Sequence, residues 1–271
     1  MTATKTVQGS FTEKAIEYRS CPASVSMADP WYDIATIDHF WIKRRFEVLQ
    51  QMAGSLIRDA RQLAEVGCGN GLLQREVEDN YGREVMGFDL NEYALKRNVS
   101  KRSPVCCYDI LQTDAALASR FDLIFLFDVL EHVSDQNGFL KAVLFHLAPS
   151  GQVLLNVPAG QWAFSAYDKA VGHKRRYAIN DLRKISQECG LFVHGWTYWG
   201  LPLLPTLFLR KLWLMGKQSE GEIISAGMDS RTPGFNKVFG LMARCEWIPQ
   251  KVVGTSLMAV LNRKPLESRN C

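Results

Sequence analysis

The sequence predicts an α/β fold in which helices cover both faces of a mostly parallel sheet. Three observations predict it. Strand-like and helix-like segments alternate from about residue 62 onwards. A glycine-rich turn, 67–71, separates the first of these strands from a helix, and an acidic residue, Asp89, ends the second strand. Segment 121–127 is almost wholly apolar, as expected of a central parallel strand that is buried on both sides.

Length and composition fit one large globular domain with additions, or at most two small domains. The chain has 271 residues, of which 47% are hydrophobic and 22% charged. A net charge of +4 without a long basic run gives little support for nucleic-acid binding. The seven cysteines lack paired zinc-type spacing, so we expect free thiols and no metal site. Neither a signal peptide nor a membrane span is evident, which favours a cytoplasmic protein.

The chain before the alternating region has two parts. Residues 1–30 are mostly polar and are interpreted as a mobile arm. Residues 31–60 have apolar side chains at helical spacing, which predicts a helix with one buried face. We therefore predict an N-terminal arm and cap helix over 1–58, followed by the main domain over 59–271.

The remaining elements follow from local patterns. The predicted strands are 62–66, 84–88, 104–108, 122–127, 151–157, 192–198 and 255–261. The predicted helices include 92–100, 135–147, 180–189 and 235–245. Asn180 is a candidate cap for the helix that Gly190 would end. About fifty residues separate the last two strands, which predicts a lid-like insertion over 201–250.

The turn Glu65-Val-Gly67-Cys-Gly69-Asn-Gly71 is the most informative motif. Its glycines allow the backbone to approach a ligand closely, and Asp89 lies where a ribose would bind. A dinucleotide fingerprint has the spacing GxGxxG, which differs from the spacing here. Glu65 would repel a phosphate but suits a cationic ligand group.

This pattern resembles motif I of the class I S-adenosylmethionine-dependent methyltransferases, whose cofactor has an ammonium, a sulfonium and a ribose but no phosphate. The resemblance implies a Rossmann-like fold with a mostly parallel, seven-stranded sheet and an antiparallel terminal strand. It also implies S-adenosylmethionine as cofactor and S-adenosylhomocysteine as product. Glu65 would suit the cationic part of this cofactor, the glycines would let the backbone approach it closely, and Asp89 would contact the ribose.

Further residues are assigned to the cofactor by the same resemblance. Asp109 would accept a hydrogen bond from the adenine amino group, beside an apolar neighbour, although a helix-cap or turn role is equally open for this residue. Arg45 or Arg44 would pair with the methionyl carboxylate, unless both lie on a solvated helix face. The cofactor-binding residues predicted in this way are Arg45, Glu65, Gly67, Cys68, Gly69, Asn70, Asp89, Leu90, Asp109, Ile110, Phe127, Asp128, Val129 and His132.

The segment Phe127-Asp-Val-Leu-Glu-His132-Val resembles the motif after the fourth strand in small-molecule methyltransferases of the 3-demethylubiquinone O-methyltransferase group. By this resemblance Phe127 and Asp128 line the cofactor. His132 would orient cofactor or substrate, or accept a proton. A structural role in capping the loop remains open for His132.

The loop 161–177 resembles a Tyr-Asp-x-x-x-Gly-His-x-Arg-Arg-Tyr signature in a bacterial branch of the family that is linked to sugar and lipid biosynthesis. An acceptor hydroxyl or amine must lose a proton, and a histidine suits that task. His173 is the first candidate for the base and His132 the second. Asp168 would hold the imidazole or an amine, Tyr167 and Tyr177 would position substrate, and Arg175 and Arg176 would bind an acidic group. Alternatively, the arginines are surface charges and Tyr177 fills the core.

The sequence therefore predicts a methyltransferase that acts on an O or N atom of a small molecule. Methylation of RNA or protein is an alternative, as is an adenosyl-ligand-binding partner protein without catalytic activity. The apolar and basic segment 201–213 is interpreted as a packed lid in preference to a membrane contact, and a homodimer face is a further possibility.

Overall fold

The computed structural model describes residues 14–25, 32, 35–214, 223 and 233–263. Its strands are β1 (Ile16–Tyr18), β2 (Leu63–Val66), β3 (Met86–Asp89), β4 (Val105–Cys107), β5 (Phe121–Phe127), β6 (Leu147–Pro158), β7 (Leu191–Trp199) and β8 (Ser256–Arg263). Its helices are α1 (Phe40–Asp59), α2 (Leu72–Tyr81), α3 (Glu92–Leu95), α4 (Gln136–His146), α5 (Ala166–Ala170), α6 (Ile179–Glu188), α7 (Leu204–Leu214) and α8 (Pro233–Arg244). The predicted α/β fold is confirmed.

All eight strands form one sheet in the order β1-β4-β3-β2-β5-β6-β8-β7. Pairing is parallel from β1 to β6, while β8 lies antiparallel between β6 and β7. The predicted antiparallel terminal strand is therefore confirmed. Within the described residues, no helix is both long enough and apolar enough to cross a membrane.

The first strand is a feature that the sequence analysis missed. Residues 16–18 were assigned to a mobile arm, and this is wrong. Ile16 and Tyr18 pair in register with Val105 and Cys107 of β4. The added strand covers backbone groups of β4 that would otherwise form an open edge. Three residues with a single apolar side chain are too few to show a strand pattern.

The sheet has an apolar layer on each face, and β5 contributes to both. Leu123 and Phe125 pack with α1 and α2 side chains, while Ile124 and Leu126 pack with α4 on the opposite face. All four side chains are buried. This confirms that segment 121–127 is a central strand buried on both sides.

Two helix ends differ from the prediction. Helix α3 ends at Leu95, five residues before the predicted end. Asn180 is the second residue of α6 and not its cap, because the Asp181 carboxylate accepts the Ala178 N–H at 2.9 Å. Gly190, at φ +82°, follows α6 as predicted. Much of the predicted insertion, residues 215–222 and 224–232, lies outside the described residues, and the two-part division of the chain stays a prediction.

Candidate active site

A cavity of about 760 Å³ opens at the carboxyl ends of the parallel strands. Open α/β sheets bind ligands at this edge, because the loops after neighbouring strands converge there. Every residue that the sequence analysis assigned to the cofactor lines this cavity, as do His173, Tyr167 and Arg176. The predicted cofactor-binding residues and these three predicted catalytic residues, which are separated along the chain, thus surround one cavity. Their roles stay predictions.

The glycine turn leaves no room for side chains. Gly67 has φ +75°, and a Cβ atom on it would lie 2.3 Å from Cγ2 of Val129. Gly69 has φ +53°, and its Cβ would lie 2.9 Å from Cε1 of Tyr32. Both the backbone conformation and the close neighbours therefore require glycine. The turn is fixed to the sheet by a 2.8 Å hydrogen bond from the Gly67 N–H to the Phe88 carbonyl.

Asp89 is held rigidly at the end of β3. Its two carboxylate oxygens accept the Gly69 N–H at 2.7 Å and the Asn91 N–H at 2.8 Å. Burial raises the pKa of Asp89, and the backbone hydrogen bonds oppose that rise. A carboxylate oxygen accepts more than one hydrogen bond, so both oxygens retain capacity for ligand hydroxyls.

Glu65 lacks a full set of partners. Its side chain is buried, and Oε2 has no hydrogen-bond partner among the described residues. Burial raises the pKa of Glu65 well above its usual value, while the charge of Arg45 opposes this. A buried carboxyl oxygen that lines a cavity without a partner fits a cationic or hydrogen-bond-donating ligand group.

Arg45 is paired within the protein. Its guanidinium Nη1 lies 2.6 Å from Oδ2 of Asp128, whose other oxygen accepts from the Asn156 amide at 2.7 Å. The Trp199 indole N–H donates to the side-chain amide oxygen of Asn156 at 2.9 Å. Arg44 pairs on another side with Glu47 and Glu246. Both arginines are buried, so the alternative of a solvated helix face is wrong.

Asp109 has the cap role that the sequence analysis left open. Its carboxylate accepts the Leu111 N–H at 3.0 Å at the start of a short 3-10 turn. The backbone N–H of Asp109 donates to the Ser20 hydroxyl at 2.8 Å, which connects this loop to the segment after β1. Asp109 and the buried Ile110 also line the cavity, so the cap role and ligand contact are compatible.

The loop after β6 places a histidine on a buried carboxylate. His173 Nδ1 lies 2.9 Å from Oδ1 of Asp168, and the Arg176 Nε donates to the same oxygen at 2.7 Å. The Ser165 N–H and hydroxyl bind the second oxygen. Burial alone would raise the pKa of Asp168, but the His173 hydrogen bond and the Arg176 charge outweigh it and hold the pKa well below its usual value.

His173 also meets two residues from the turn after β5. Side-chain nitrogen and oxygen atoms of Glu131, His132 and His173 lie within 4.8 Å of one another. His132 Nδ1 lies 3.2 Å from the Gly172 carbonyl, and burial, reinforced by the neighbouring His173, lowers the pKa of His132 to about 3. Three side chains at this separation could also bind a metal ion. The expected absence of a metal site therefore stays a prediction.

The family of the chain follows from comparison with known proteins. A family described as "Methyltransferase domain" matches residues 37–202, which is more than half of the chain. The chain belongs to this family. The match includes the glycine turn, Asp89 and the His173 loop, and it confirms the predicted membership of the class I S-adenosylmethionine-dependent methyltransferases.

Relatives agree with this family. The chain is 32% identical over 120 residues to the ubiquinone biosynthesis O-methyltransferase of Bordetella avium, an alignment that covers 41% of this chain and 48% of that protein. It therefore spans about half the length of this curated relative.

Solved structures show the same fold at low identity. A methyltransferase from Archaeoglobus fulgidus has a TM-score of 0.51 at 17% identity, covering 82% of this chain and 94% of that one. Phosphoethanolamine N-methyltransferase 2 of Haemonchus contortus has a TM-score of 0.55 at 15% identity, covering 88% and 58%.

Within this methyltransferase domain, two candidate substrate-binding residues lie outside the cavity. Tyr177, predicted to position substrate, is packed in the core, where its hydroxyl donates to the Leu130 carbonyl at 3.0 Å and accepts from Gln136. Burial raises its pKa. Tyr177 does not line the cavity, so the core alternative was right. Arg175 donates to the side-chain amide oxygen of Gln136 at 2.8 Å and is likewise outside the cavity.

Three residues of the site escaped sequence reasoning. Glu131 is fully buried, and neither carboxyl oxygen has a hydrogen-bond partner within the described part of the chain. Asn156 orients Asp128 and was signalled only as the one amide in the apolar run 153–157. Arg210 of α7 lines the cavity with its guanidinium carbon 4.2 Å from the Tyr167 ring centroid. A basic residue inside an apolar helix was the available signal.

Proposed function

We propose that this chain binds S-adenosylmethionine in the cavity and transfers its methyl group to an O or N atom of a small-molecule acceptor. One observation carries the proposal: the predicted cofactor-binding residues and the predicted base line the same cavity. Glu65, the glycine turn and Asp89 are the cofactor-binding residues, and His173, hydrogen-bonded to Asp168, is the base. A cofactor held by the first set would lie in the same cavity as a group able to accept the acceptor's proton.

The residues present fit the cofactor. The Glu65 oxygen without a partner matches a ligand ammonium, and Asp89 retains acceptor capacity for a pair of ribose hydroxyls. The turn around Gly67 and Gly69, which a Cβ atom would obstruct, admits a ligand against the backbone. Asp109 and Ile110 offer a hydrogen-bond acceptor and an apolar surface for a base.

The chemistry asks little of the protein beyond position and proton removal. When bound, S-adenosylmethionine supplies an electrophilic methyl group on a positively charged sulfur. The acceptor's O–H or N–H proton would pass to Nε2 of His173 as the bond from the acceptor to the methyl carbon forms, while the sulfur–methyl bond breaks and S-adenosylhomocysteine leaves. Asp168 holds the opposite nitrogen as N–H and favours the charged ring that results. In-line alignment in the cavity supplies much of the remaining acceleration.

The cavity wall suggests the nature of the acceptor. Arg176 and Arg210 lie near Tyr167 and suit an acidic or polar group. Beyond them, side chains of α1, α7, α8 and the 3-10 turn before α7 provide an apolar wall, formed by Phe40, Leu203, Leu207 and Phe239. We infer an acceptor that combines a polar head with an apolar body. The names of the relatives, an O-methyltransferase and an N-methyltransferase, support a small molecule without choosing the atom.

The test is transfer of labelled methyl groups. The purified protein is incubated with methyl-labelled S-adenosylmethionine and with cell extract separated into small-molecule, lipid, RNA and protein fractions. We expect label in the small-molecule or lipid fraction. Label confined to RNA or protein would replace the proposal with a macromolecular substrate. Cofactor binding without transfer in any fraction would favour a non-catalytic binding protein. The Gly67→Arg variant serves as the blank.

A further inference from the structure

Helix α7 packs on the domain with only one of its two sides. Four large apolar side chains on this helix are exposed: Phe208 by 46%, Leu209 by 67%, Leu212 by 66% and Trp213 by 56%. They form two i,i+4 pairs and so share one side of the helix. Leu207 and Leu214, on the other side, are buried. We call these four exposed residues the α7 face.

The α7 face extends onto the preceding loop. The Trp162 ring, itself exposed, stacks on Phe208 with centroids 5.3 Å apart. Lys211 Nζ donates to the Trp162 carbonyl at 2.8 Å, which ties the loop to the helix. Helix α5 and its C-cap residue also pack on α7, through Tyr167 and Val171 against Leu214. The apolar face therefore belongs to a supported surface and not to a single protruding helix.

The solvent-accessible charges on α7 and α5 are positive. Helix α7 has no acid; its Lys211 is partly exposed, whereas its Arg210 lies over Tyr167 in the cavity. On α5, Lys169 is exposed, while the one acid, Asp168, is fully buried and bonded to Arg176 and His173. Exposed aromatic and aliphatic side chains beside two lysines fit the interface of an anionic lipid bilayer. A symmetric contact between two copies would instead bring the cations together.

The face is continuous with the cavity. Leu209 and Trp213 are both exposed, and both also line the cavity. An acceptor with an apolar body could thus pass between a lipid phase and the site without crossing water.

From these observations we propose that the α7 face rests on the surface of an anionic phospholipid bilayer, with the cavity opening toward the lipid. This goes beyond the proposed function and rests on it only in taking the cavity as the acceptor site.

Vesicle flotation tests the proposal directly. The full chain, without cofactor or acceptor, is mixed with vesicles of phosphatidylcholine or of equal parts phosphatidylcholine and phosphatidylglycerol. We expect the fraction bound to the anionic vesicles to exceed the neutral value by about tenfold and to fall with added salt. Equal recovery with both vesicles, or none with either, would overturn the proposal.

A matched pair of variants locates the contact. Leu212→Glu places a charge on the face at a residue that does not line the cavity. Ala118→Glu adds the same charge at an exposed site beyond β4. We expect Leu212→Glu to lower anionic-vesicle binding about tenfold and Ala118→Glu to leave it unchanged. If Leu212→Glu instead converts a dimer to a monomer in size-exclusion chromatography and vesicle binding is absent, the face is a self-association surface and the proposal fails. Cofactor titration of both variants keeps this result separate from the proposed function.

Discussion

His173 and Asp168 are joined at 2.9 Å, and the carboxylate of this pair is wholly buried while the imidazole lines the cavity. The Arg176 guanidinium and the Ser165 backbone N–H hold Asp168 from behind. The carboxylate therefore fixes the ring orientation and its protonated nitrogen. This leaves Nε2 on the side of the cavity, 3.8 Å from a Glu131 oxygen.

The first prediction concerns the proposed base. His173→Ala should lower turnover by about 10²–10⁴-fold, the range associated with loss of a general base, with little change in cofactor affinity. Turnover is measured by transfer of labelled methyl groups to the extract fraction that the wild type labels. Cofactor affinity is measured by calorimetry. His194→Ala, at an exposed position on β7, is the matched control and should retain full activity. Unchanged turnover in His173→Ala would remove His173 as the base.

The second prediction concerns the glycine turn. Gly67→Ala should weaken S-adenosylmethionine binding at least about tenfold, because the new Cβ requires Val129 to move and strains a positive φ. Gly82→Ala has a similar φ of +65° but meets nothing within 4 Å, so it controls for backbone strain alone. Both variants should lose some thermal stability, and only Gly67→Ala should lose affinity. If Gly67→Ala and Gly82→Ala bind S-adenosylmethionine with equal affinity, the turn does not contact the cofactor.

The third prediction follows from the raised pKa of Glu65. Burial favours the protonated carboxyl, whereas a bound ammonium would favour the ionised form. Binding should therefore release a proton, and affinity should rise with pH. Calorimetry in two buffers of different ionisation enthalpy measures the release. Glu65→Gln should abolish it, and Glu188→Gln, at an exposed site, should not. If Glu65→Gln releases the same number of protons on binding as the wild type, the proton comes from another group and the prediction is wrong.

The fourth prediction concerns His132, whose pKa is lowered from 6.5 to about 3 by burial and by His173. In the unfolded chain His132 binds a proton near pH 6.5, whereas in the folded chain it stays neutral to much lower pH. Its contribution to the free energy of unfolding should therefore be constant above that pH and fall below it. Urea unfolding at about pH 7.5 and about pH 5 measures the loss. His132→Gln should reduce this loss, while His194→Gln should retain it. An unchanged pH dependence in His132→Gln would contradict the assignment.

The sequence predicted what depends on local pattern. The apolar run of β5, the Gly67–Gly71 turn and the acid at Asp89 each follow from a few adjacent residues, and the structure places them as expected. Asp168 and His173 lie five residues apart in one loop, so their contact was also within reach.

Contacts between distant segments were harder to predict. Asp128 reaches Arg45 from a backbone with φ +56°, and the two are far apart in sequence. Residues 16–18 form a strand because β4 offers an edge, a property of the folded sheet and not of their own pattern. Tyr177 belongs to the same motif as His173 but points into the core, whereas its neighbour Arg176 lines the cavity.

Titration of S-adenosylmethionine into the wild-type chain and into Asp89→Ala tests the central claim most directly. Asp89 is anchored by two backbone N–H groups and lines the cavity, so it should hold the ribose. We expect one cofactor per wild-type chain and at least about tenfold weaker binding in a folded Asp89→Ala variant. No binding by the wild type, or equal binding by the two proteins, would contradict the assignment of this cavity as the cofactor site.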